Sequence, residues 1–437
     1  MIGMWNKPKF LKGTILDISM ILAIVISIVL TGFVFSSFGQ NEAPDSATSQ
    51  QSEQQLLELI QPTQLIVTHK DGSQQLVTHK ISTQIKKIRT YIEGAELNDA
   101  KSEKVSVAKI QSLLSIKKSQ ILRYPDVVPI SYFNTRYQQN VSSGKNFNFN
   151  YFVLDFNRSN IGYFVNTKTN RIVTVKVKKL NNDLAWKKAE ELPTTVAVNF
   201  KAYQGQVMMN YPNDVKLPVY SYLLNHRDPS AYVSALLGTI NQLSISKADD
   251  RTMYTNKLNS QKIVYNSTLE TVTFEDHNAK NQLPKTYLGR LNAGLSQINL
   301  LQLNLADTRF YESRDNGQQV TYRTYVEGFP VYFQSESGAI RIKIADNGDL
   351  TSTYSLNELG VPVPNKQEDV TLPSTTSILK QLDDAGVKKS DYYFITPGYE
   401  WLINKDSQAA VNMEPTWMIE TSSGWQSVSA FLKHHDN

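Results

Sequence analysis

The stretch QLIVTHKDGSQQLVTHKISTQIKKIRTYIEG, Gln64–Gly94, carries the two patterns that decide the fold class. Asp71-Gly72 lies between two runs of β-forming residues, which predicts a β-hairpin with a two-residue turn. The residues that follow repeat at the spacing of one helix face: Ile81, Ile85, Ile88 and Ile92. This spacing predicts an amphipathic helix that ends at Gly94. A helix that packs on a hairpin is typical of the α+β class.

The same stretch contains the sequence VTHK twice, which places His69 and His79 in the predicted hairpin. Two imidazoles on neighbouring strands are a candidate metal site when they face each other. A two-residue turn would pair His69 with Gln74 and His79 with Gln64, so the two rings do not face each other. The sequence therefore predicts no metal site at these histidines.

Helical and hairpin patterns alternate through the rest of the chain. Asp228 and Pro229 favour the start of a helix, because Asp is a good N-cap and Pro a good first helical residue. Asn316-Gly317 and Asn347-Gly348 are dipeptides typical of hairpin turns. We therefore predict an α+β protein with antiparallel sheets, divided into three domains: 56–185, 186–283 and 284–437.

An uncharged apolar segment precedes these domains. Residues 18–38 contain no Asp, Glu, Lys or Arg, and as a helix they would be about 31 Å long, which matches the hydrocarbon thickness of a bilayer. The segment is longer than the apolar core of a removable signal peptide. It predicts a single transmembrane helix between a stub, 1–17, and a linker, 39–55.

The charges around this segment predict its orientation. Lys7, Lys9 and Lys12 precede it, whereas Glu42 and Asp45 follow it. Because positive residues favour the cytoplasmic side, the N-terminus is predicted to be cytoplasmic and the main body extracytoplasmic, in a single-pass protein of the cell membrane. Chemistry that needs ATP is not expected outside the membrane.

The composition excludes several classes of protein. The 437 residues include no cysteine, which excludes disulfides, cysteine-ligated zinc and thiol nucleophiles. The formal net charge is +5 and the basic residues are scattered, so nucleic-acid binding is not predicted. A cysteine-free exterior fits a Gram-positive bacterium, since eukaryotic secreted proteins of this size usually carry disulfides.

The motifs of common hydrolases and nucleotide-binding proteins are missing or incomplete. Ser-x-x-Lys occurs at several positions, among them Ser115, Ser244 and Ser377, but the chain lacks the Lys-Thr-Gly element that accompanies it in penicillin-binding proteins. The chain also contains no Gly-x-Ser-x-Gly, His-Glu-x-x-His or Gly-x-x-x-x-Gly-Lys-Ser/Thr sequence. The sequence therefore predicts a protein that is not an enzyme, with no catalytic residue, metal site or cofactor.

Small residues recur at every fourth position of the apolar segment: Ser19, Ala23, Ser27 and Thr31. On a helix these residues form one stripe, while the other faces carry large apolar side chains. Small residues allow helices to approach closely in a bilayer, and hydroxyl groups add hydrogen bonds. We predict that this stripe is a helix–helix interaction site.

Several stretches carry a resemblance to a known family. They are SIVLTGF in the apolar segment, ILRYPDVVPISYF with its two prolines, YVEGFPVYF followed by GAIRIKIADNGDLTSTYSL, and VNMEPTWMIE followed by GW. Together with the layout of the whole chain, these stretches resemble the YycH family of Gram-positive regulatory proteins.

This resemblance implies both a fold and a set of partners. Members of the family act with a smaller protein, YycI, on the sensor histidine kinase WalK, also called YycG, of a two-component system for cell-wall homeostasis. Their exterior comprises three α+β domains, of which the last two resemble YycI, and their regulation is ascribed largely to contacts between transmembrane helices. The implied partners are a WalK-like kinase, a YycI-like membrane protein, the lipid bilayer, or a second copy in a homodimer.

Two other functions stay open from the sequence. An apolar groove would favour a binding module for a peptide, a lipid or a wall polymer. A carboxylate pair in a deep cleft would favour an anchored cell-wall hydrolase. The sequence points to no residue for either function.

Overall fold

The computed structural model describes residues 57–142, 147–157, 161–180, 186, 195–258, 260–277, 283–301, 305, 307–332, 339–404 and 409–435. Within these ranges no helix is long and apolar enough to cross a membrane. The predicted stub, transmembrane helix and linker lie outside the described residues. So does the predicted helix–helix site: Ser19, Ala23, Ser27 and Thr31. The chain from Gln55 to Asn437 forms one compact unit.

Helices and strands alternate along the described residues, as expected for an α+β protein. The α-helices are α1 (Ile81–Glu93), α2 (Val107–Leu113), α3 (Ile130–Tyr137), α4 (Pro229–Leu237), α5 (Tyr287–Asn299), α6 (Thr375–Asp384) and α7 (Val428–His435). Short 3₁₀ helices span Ile240–Gln242 and Asp315–Gly317. The predicted N-cap of α4 is confirmed, because the Asp228 side chain accepts a hydrogen bond from the Ser230 N–H.

The first part of the chain forms a nine-stranded antiparallel sheet, which we call the first sheet. Its strands are β1 (Gln64–Thr68), β2 (Gln74–Val77), β3 (Glu96–Lys104), β4 (Ser119–Pro129), β5 (Asn148–Asp155), β6 (Ile161–Asn166), β7 (Arg171–Lys178), β8 (Thr195–Tyr203) and β9 (Gln206–Asn210). Their order across the sheet is β3-β7-β6-β5-β4-β1-β2-β8-β9. The hairpin β1–β2 is therefore interior to the sheet, and α1 packs against β1.

The remaining strands form a larger second sheet and a separate pair. They are β10 (Val215–Leu217), β11 (Tyr220–His226), β12 (Ser244–Ala248), β13 (Arg251–Thr255), β14 (Gln261–Asn266), β15 (Thr271–Asp276), β16 (Thr308–Arg314), β17 (Gln319–Val326), β18 (Phe329–Tyr332), β19 (Ala339–Ile344), β20 (Leu350–Ser355), β21 (Asn357–Val363), β22 (Val370–Leu372), β23 (Phe394–Ile403), β24 (Ala410–Thr421) and β25 (Gly424–Ser427).

The second sheet has 14 strands, and β10 pairs separately with β22. Its order is β12-β13-β14-β15-β20-β19-β17-β18-β23-β24-β11-β21, with β16 beside β17 and β25 beside β24. Strands β18 and β23 run parallel, and the other described pairs of this sheet are antiparallel.

The isoleucine stripe of α1 is confirmed. Each member is at most 5% exposed and lies in the core beneath the first sheet: Ile81, Ile85, Ile88 and Ile92. Burying a side chain of this size contributes about 1.5–3 kcal/mol relative to leaving it exposed. The helix ends where predicted, because the Gly94 N–H bonds to the Thr90 carbonyl at 3.3 Å as the C-cap.

The hairpin that precedes α1 forms, but its loop is one residue longer than predicted. Thr68 lies opposite Gln74, and the His69 N–H donates to the Ser73 carbonyl at 2.8 Å. The loop therefore contains three residues and ends at Gly72, whose φ is +96°. A three-residue loop requires this left-handed conformation at its last position. The predicted two-residue turn, and the pairing of His69 that follows from it, were wrong by one residue.

The two histidines of the repeat have separate surroundings. His69 Nε2 lies 3.1 Å from Gln75 Oε1. His79 lies beyond the end of β2, so its predicted pairing with Gln64 was also wrong. Its Nδ1 instead lies 3.7 Å from an oxygen of Glu327. The two imidazoles thus have different polar neighbours, on opposite ends of β2.

Strand β4 is irregular where its prolines lie. Its register with β5 shifts between Arg123 and Val128. Pro125 falls in this shift and cannot donate to the ladder, which explains the interruption. Pro129 ends the strand, and α3 begins at the next residue. The shift takes Asp126 out of the ladder, so its carboxylate is available to other elements.

The turn between β17 and β18 connects two parts of the second sheet. Glu327 and Gly328 have φ angles of +46° and +87°, the left-handed pair typical of a type I′ hairpin turn. Strand β17 pairs with β16 and β19, whereas β18 pairs with β23. This hairpin therefore joins two groups of strands in the second sheet. One group contains β17, β19 and β20, and the other contains the C-terminal strands β23 and β24.

Candidate functional site at the junction of the two sheets

The two sheets meet along a boundary that we call the junction. It joins the N-terminal half, 57–210, which contains the first sheet, to the C-terminal half, 211–435, which contains the second sheet. Strands β4 and β16 lie against each other there. Its polar contacts come largely from the stretches ILRYPDVVPISYF and YVEGFPVYF of the sequence.

The turn Glu327–Gly328 caps α1 from the opposite half, and we call this contact the latch. Lys80 occupies the N-cap position with a φ of 53° and gives no side-chain cap. The Ile81 N–H instead donates to Glu327 Oε2 at 2.9 Å. His79 Nδ1 lies 3.7 Å from the other carboxylate oxygen. A carboxylate at a helix N-terminus typically stabilises the helix by about 0.3–1 kcal/mol.

Gly328 brings the latch close to the backbone of the N-terminal half. A Cβ atom at this position would lie 2.7 Å from the Thr63 carbonyl oxygen, a distance that real Cβ atoms do not adopt. The positive φ of Gly328 separately disfavours other residues. Both the turn and the close approach therefore require glycine.

Asp126 crosses the junction from the irregular part of β4. It is 4% exposed, and its Oδ2 accepts a hydrogen bond from the Ser313 N–H of β16 at 3.0 Å. Its Oδ1 lies 2.6 Å from Lys168 Nζ. Beside it, the Tyr287 hydroxyl of α5 donates to the Val127 carbonyl at 2.7 Å. The break in the β4 ladder is thus filled by groups of the C-terminal half.

Helices α3 and α5 also meet across the junction. The Tyr132 hydroxyl donates to Asn292 Oδ1 at 2.6 Å. Burial raises the pKa of Tyr132, so this hydroxyl keeps its proton and remains a donor at physiological pH. A neutral hydrogen bond of this kind contributes about 0.5–1.5 kcal/mol net.

The segment Leu57–Gln61 is fixed to the body by Arg136 of α3, a contact that we call the clamp. The Arg136 guanidinium donates to the Leu57 carbonyl at 3.2 Å, to Gln61 Oε1 at 2.8 Å and to Glu58 Oε2 at 3.0 Å. Arg89 of α1 adds a second ion pair to Glu58 at 3.4 Å. Burial alone would raise the pKa of Glu58, but the hydrogen bond and charge of Arg136, with the charge of Arg89, lower it overall.

A cavity of about 330 Å³ opens between the clamp and the latch. Desolvation raises the pKa of Asp307 in its wall, and the charge of Arg309 opposes this effect. The volume is in the range of small-molecule sites. The polar side chains in its lining include Lys80, Ser82, Thr83, Tyr222, Asp307, Arg309, Tyr325 and Glu327.

Sequence reasoning assigned no function to the residues of the junction. The signals were an acidic residue between two prolines, at Asp126, and a Glu-Gly dipeptide between apolar runs, at Glu327. Either signal indicates a turn or an irregular strand, but it does not identify the partner. The partner of Glu327 lies 246 positions earlier in the chain.

The fold and the junction define a class: a two-sheet α+β protein whose halves are locked together by polar side chains. Comparison with protein-family models identifies the particular family. The model described as "YycH protein, N-terminal domain" matches residues 13–194, and the model described as "YycH protein, C-terminal domain" matches residues 212–436. The chain belongs to the YycH family, as the resemblance of its sequence implied.

Comparison with solved structures agrees with this assignment. The crystal structure of YycH from Bacillus subtilis is similar with a TM-score of 0.68 and 14% identity, over 85% of this chain and 96% of that chain. This likeness concerns the fold. An uncharacterized protein from Eubacterium rectale reaches a TM-score of 0.30 at 13% identity, over 55% of this chain and 90% of that chain, which is too low to compare the folds. No curated protein matches the chain.

Proposed function

We propose that this protein is a membrane-anchored regulator that modulates a sensor histidine kinase of cell-wall homeostasis. Membership of the YycH family indicates a regulatory protein. The observation that most supports the anchored form is that the family match begins at residue 13 and so includes the apolar segment 18–38. The apolar segment is thus part of what the family shares.

In this proposal the N-terminus lies in the cytoplasm and three α+β domains, 56–185, 186–283 and 284–437, lie outside the membrane. The third domain belongs to the YycI-like part. The protein acts through contacts rather than by catalysis. Its partners are a WalK-like kinase, a YycI-like membrane protein or a second copy of itself.

The contact with these partners is made by the stripe of small residues along the anchor: Ser19, Ala23, Ser27 and Thr31. Lipid tails are as apolar as leucine, so helices associate in a bilayer through close packing and hydrogen bonds. Small side chains permit the close approach, and the hydroxyl groups contribute roughly 0.5–2 kcal/mol each. The exterior then tunes how the anchor is presented to its partners.

The test replaces Ala23 and Ser27 by Ile, which fills the stripe with large side chains and removes one hydroxyl group without changing the length of the segment. The matched control replaces Ile24 and Ile28 by Val on the remaining faces. A membrane two-hybrid assay measures capture of the kinase, and a reporter measures a gene that the kinase controls. We expect A23I/S27I to lose capture and alter the reporter, with the control unchanged. Unaltered capture and reporter at normal protein level would contradict the proposal.

A further inference from the structure

Strand β12 is an end strand of the second sheet, and it lacks most of the features that keep such an edge from pairing with another chain. The two strand orders end at β3 and β9 in the first sheet and at β12 and β21 in the second. Strand β9 is mostly buried, β3 has a register shift and is rich in charged residues, and β21 has a register shift and Pro362. Shifts, charges and prolines of this kind protect sheet edges. Strand β12 pairs with β13 without a shift from Ser244 to Ala248, is exposed throughout, and has Lys247 as its only charged residue.

The free edge of β12 carries backbone groups that no described strand pairs with. A two-residue turn joins β12 to β13, so Ala248, the last residue of β12, is hydrogen-bonded to the first residue of β13. Bonded and non-bonded pairs alternate along two antiparallel strands. The N–H and C=O groups of Ile245 and Lys247 therefore point away from β13, to the free edge.

An apolar row runs across one face of the second sheet and reaches this edge. Phe274 of β15, Ile263 of β14, Tyr254 of β13 and Ile245 of β12 lie opposite one another in successive strand pairs. Phe274 and Ile263 are buried, and α4 packs on their strands. Ile245, at the end of the row, is 50% exposed. The row thus ends in an exposed apolar side chain at an open edge, where another strand could continue it.

We propose that the free edge of β12 pairs antiparallel with β12 of a second copy of this chain, about a two-fold axis beside Ile245. Ile245 then lies opposite Ile245 of the second copy, which joins the two apolar rows into one. Lys247 lies opposite Leu243 of the second copy, so like charges do not face each other. An axis beside Lys247 would instead bring two ammonium groups together. In the proposed register the edge is complementary to itself, as a two-fold contact requires.

The contact is small and depends on main-chain hydrogen bonds from Ile245 and Lys247, as in other cases of strand addition. A strand of five residues buries less surface than a stable complex of two free proteins requires. Two copies held in one membrane meet at a much higher effective concentration. The pairing therefore rests on the proposed anchor, but it does not involve the stripe of small residues.

The test exploits the absence of cysteine from the chain, so that an introduced cysteine reports only its own neighbour. Ser244→Cys and Ser246→Cys are placed in two differently tagged full-length copies that are expressed in one membrane. In the proposed register these two residues lie opposite each other, with Cα atoms about 4.5 Å apart, which a disulfide can bridge. Mild oxidation should join the copies. The matched control carries Ser102→Cys, exposed on the edge strand β3, in both copies and should give at least fivefold less product.

Charge variants at the two-fold axis identify the occupant as a second copy. Ile245→Lys in both copies should lower the disulfide yield at least fivefold, because like charges then lie directly opposite each other. Met253→Lys adds the same charge to the neighbouring strand β13 and should leave the yield unchanged. A copy with I245K and a copy with I245E should together restore the yield, because opposite charges then meet.

The disulfide should persist when both copies also carry A23I/S27I, which separates this contact from the anchor stripe. Loss of the disulfide in that background would overturn the proposal, because the edge would not pair by itself. A yield no higher than that of the Ser102→Cys control, or a yield that I245K does not lower at equal protein level, would also overturn it. If no disulfide forms but I245K alters the kinase reporter, the edge binds another protein and not a second copy.

Discussion

At the residue scale, Glu327 and Gly328 hold the latch by different physical means. Glu327 supplies a charge and an acceptor to the first turn of α1, where Lys80 gives no side-chain cap. Gly328 contributes because it has no side chain. The Thr63 carbonyl oxygen occupies the place that a Cβ atom would need. A substitution at either position therefore tests a separate contribution.

Gly328→Ala should destabilise the protein more than an equivalent change in a free turn. The control is Gly205→Ala, since Gly205 also has a positive φ, +78°, but nothing lies within 4 Å of its Cβ position. The control should lose about 1–2 kcal/mol for the left-handed backbone alone. G328A should lose this amount and a further 1 kcal/mol or more, roughly, for the displaced latch. Urea unfolding followed by tryptophan fluorescence measures both, and equal losses would show that the close approach is relieved without cost.

The pKa of Glu58 predicts a contribution to acid sensitivity. Its pKa in the folded protein lies below the ordinary value of 4.5, because Arg136 and Arg89 outweigh the effect of burial. The stabilisation is therefore fully present above about pH 4.5, its ordinary pKa, and is lost as the pH falls through the folded pKa. Glu58→Gln removes this contribution. Thermal unfolding between pH 7 and pH 3 should show a smaller drop in Tm for E58Q than for the unaltered protein, and parallel curves would contradict this reading.

The sequence alone did not predict the geometry of individual turn residues, as the loop between β1 and β2 shows. Asp71-Gly72 predicted a turn correctly, yet the chain uses Gly72 at the third loop position and not at the second turn position. The dipeptide fits both types of loop, and the choice depends on the register of β1 between β2 and β4. The register is fixed by the whole sheet, so two residues could not reveal it.

At the scale of elements, α3 carries two contacts that differ in kind. Arg136 forms the clamp, while Tyr132 reaches α5 across the junction. The helix begins directly after Pro129, so the prolines of β4 determine where both side chains stand. The motif that interrupts the strand pattern in the sequence thus positions two separate contacts.

The clamp predicts local protection of the segment Leu57–Gln61. Arg136→Gln removes the forked set of bonds to this segment, so its amide hydrogens should exchange at least tenfold faster while those of β5 and β6 are unchanged. Arg136→Lys should be intermediate, because an ammonium group keeps the charge but cannot reproduce the planar fork. Hydrogen exchange followed by mass spectrometry measures both regions. Unchanged exchange at Leu57–Gln61 in R136Q would show that burial of Leu59 and Ile60 alone fixes the segment.

Elements with a strong local period were the predictable part of the fold. The isoleucine stripe gave α1, and the Asp-Pro start gave α4, since each pattern lies within a single element. The junction joins elements that are distant in sequence, and neither hydrophobic period nor turn chemistry specifies such pairs. Asp126 and Glu327 could therefore be seen as unusual residues but not as partners of Ser313 and Ile81.

At the scale of the whole molecule, the division into three domains remains a prediction. The chain from Gln55 to Asn437 forms one compact unit. Strand β11, from the predicted second domain, pairs with β24 of the predicted third domain. Strand β8 pairs with β2 of the predicted first domain. Hydrogen bonds between strands therefore connect the three predicted domains, wherever their boundaries lie.

The orientation predicted from the charges around the apolar segment is directly testable. An alkaline phosphatase fused after Ser46 should be active, because that enzyme folds outside the cytoplasm and Lys7, Lys9 and Lys12 favour a cytoplasmic N-terminus. A reporter that is active only in the cytoplasm should be silent at the same position. The control fuses both reporters after Thr14, where the activities should be reversed. If the cytoplasmic reporter is active after Ser46, the prediction is wrong and the main body of the chain lies in the cytoplasm.

The latch also sets the order in which a newly made chain completes its structure. All strands of the first sheet lie before residue 211, but Glu327 reaches α1 only after more than a hundred further residues have been synthesised. Because chains generally fold from the N-terminus during synthesis, the first sheet forms while the first turn of α1 is still open to water and to chaperones. A chain truncated near residue 210 would keep that end uncapped. The finished molecule thus differs from a truncated chain in the cap at the first turn of α1.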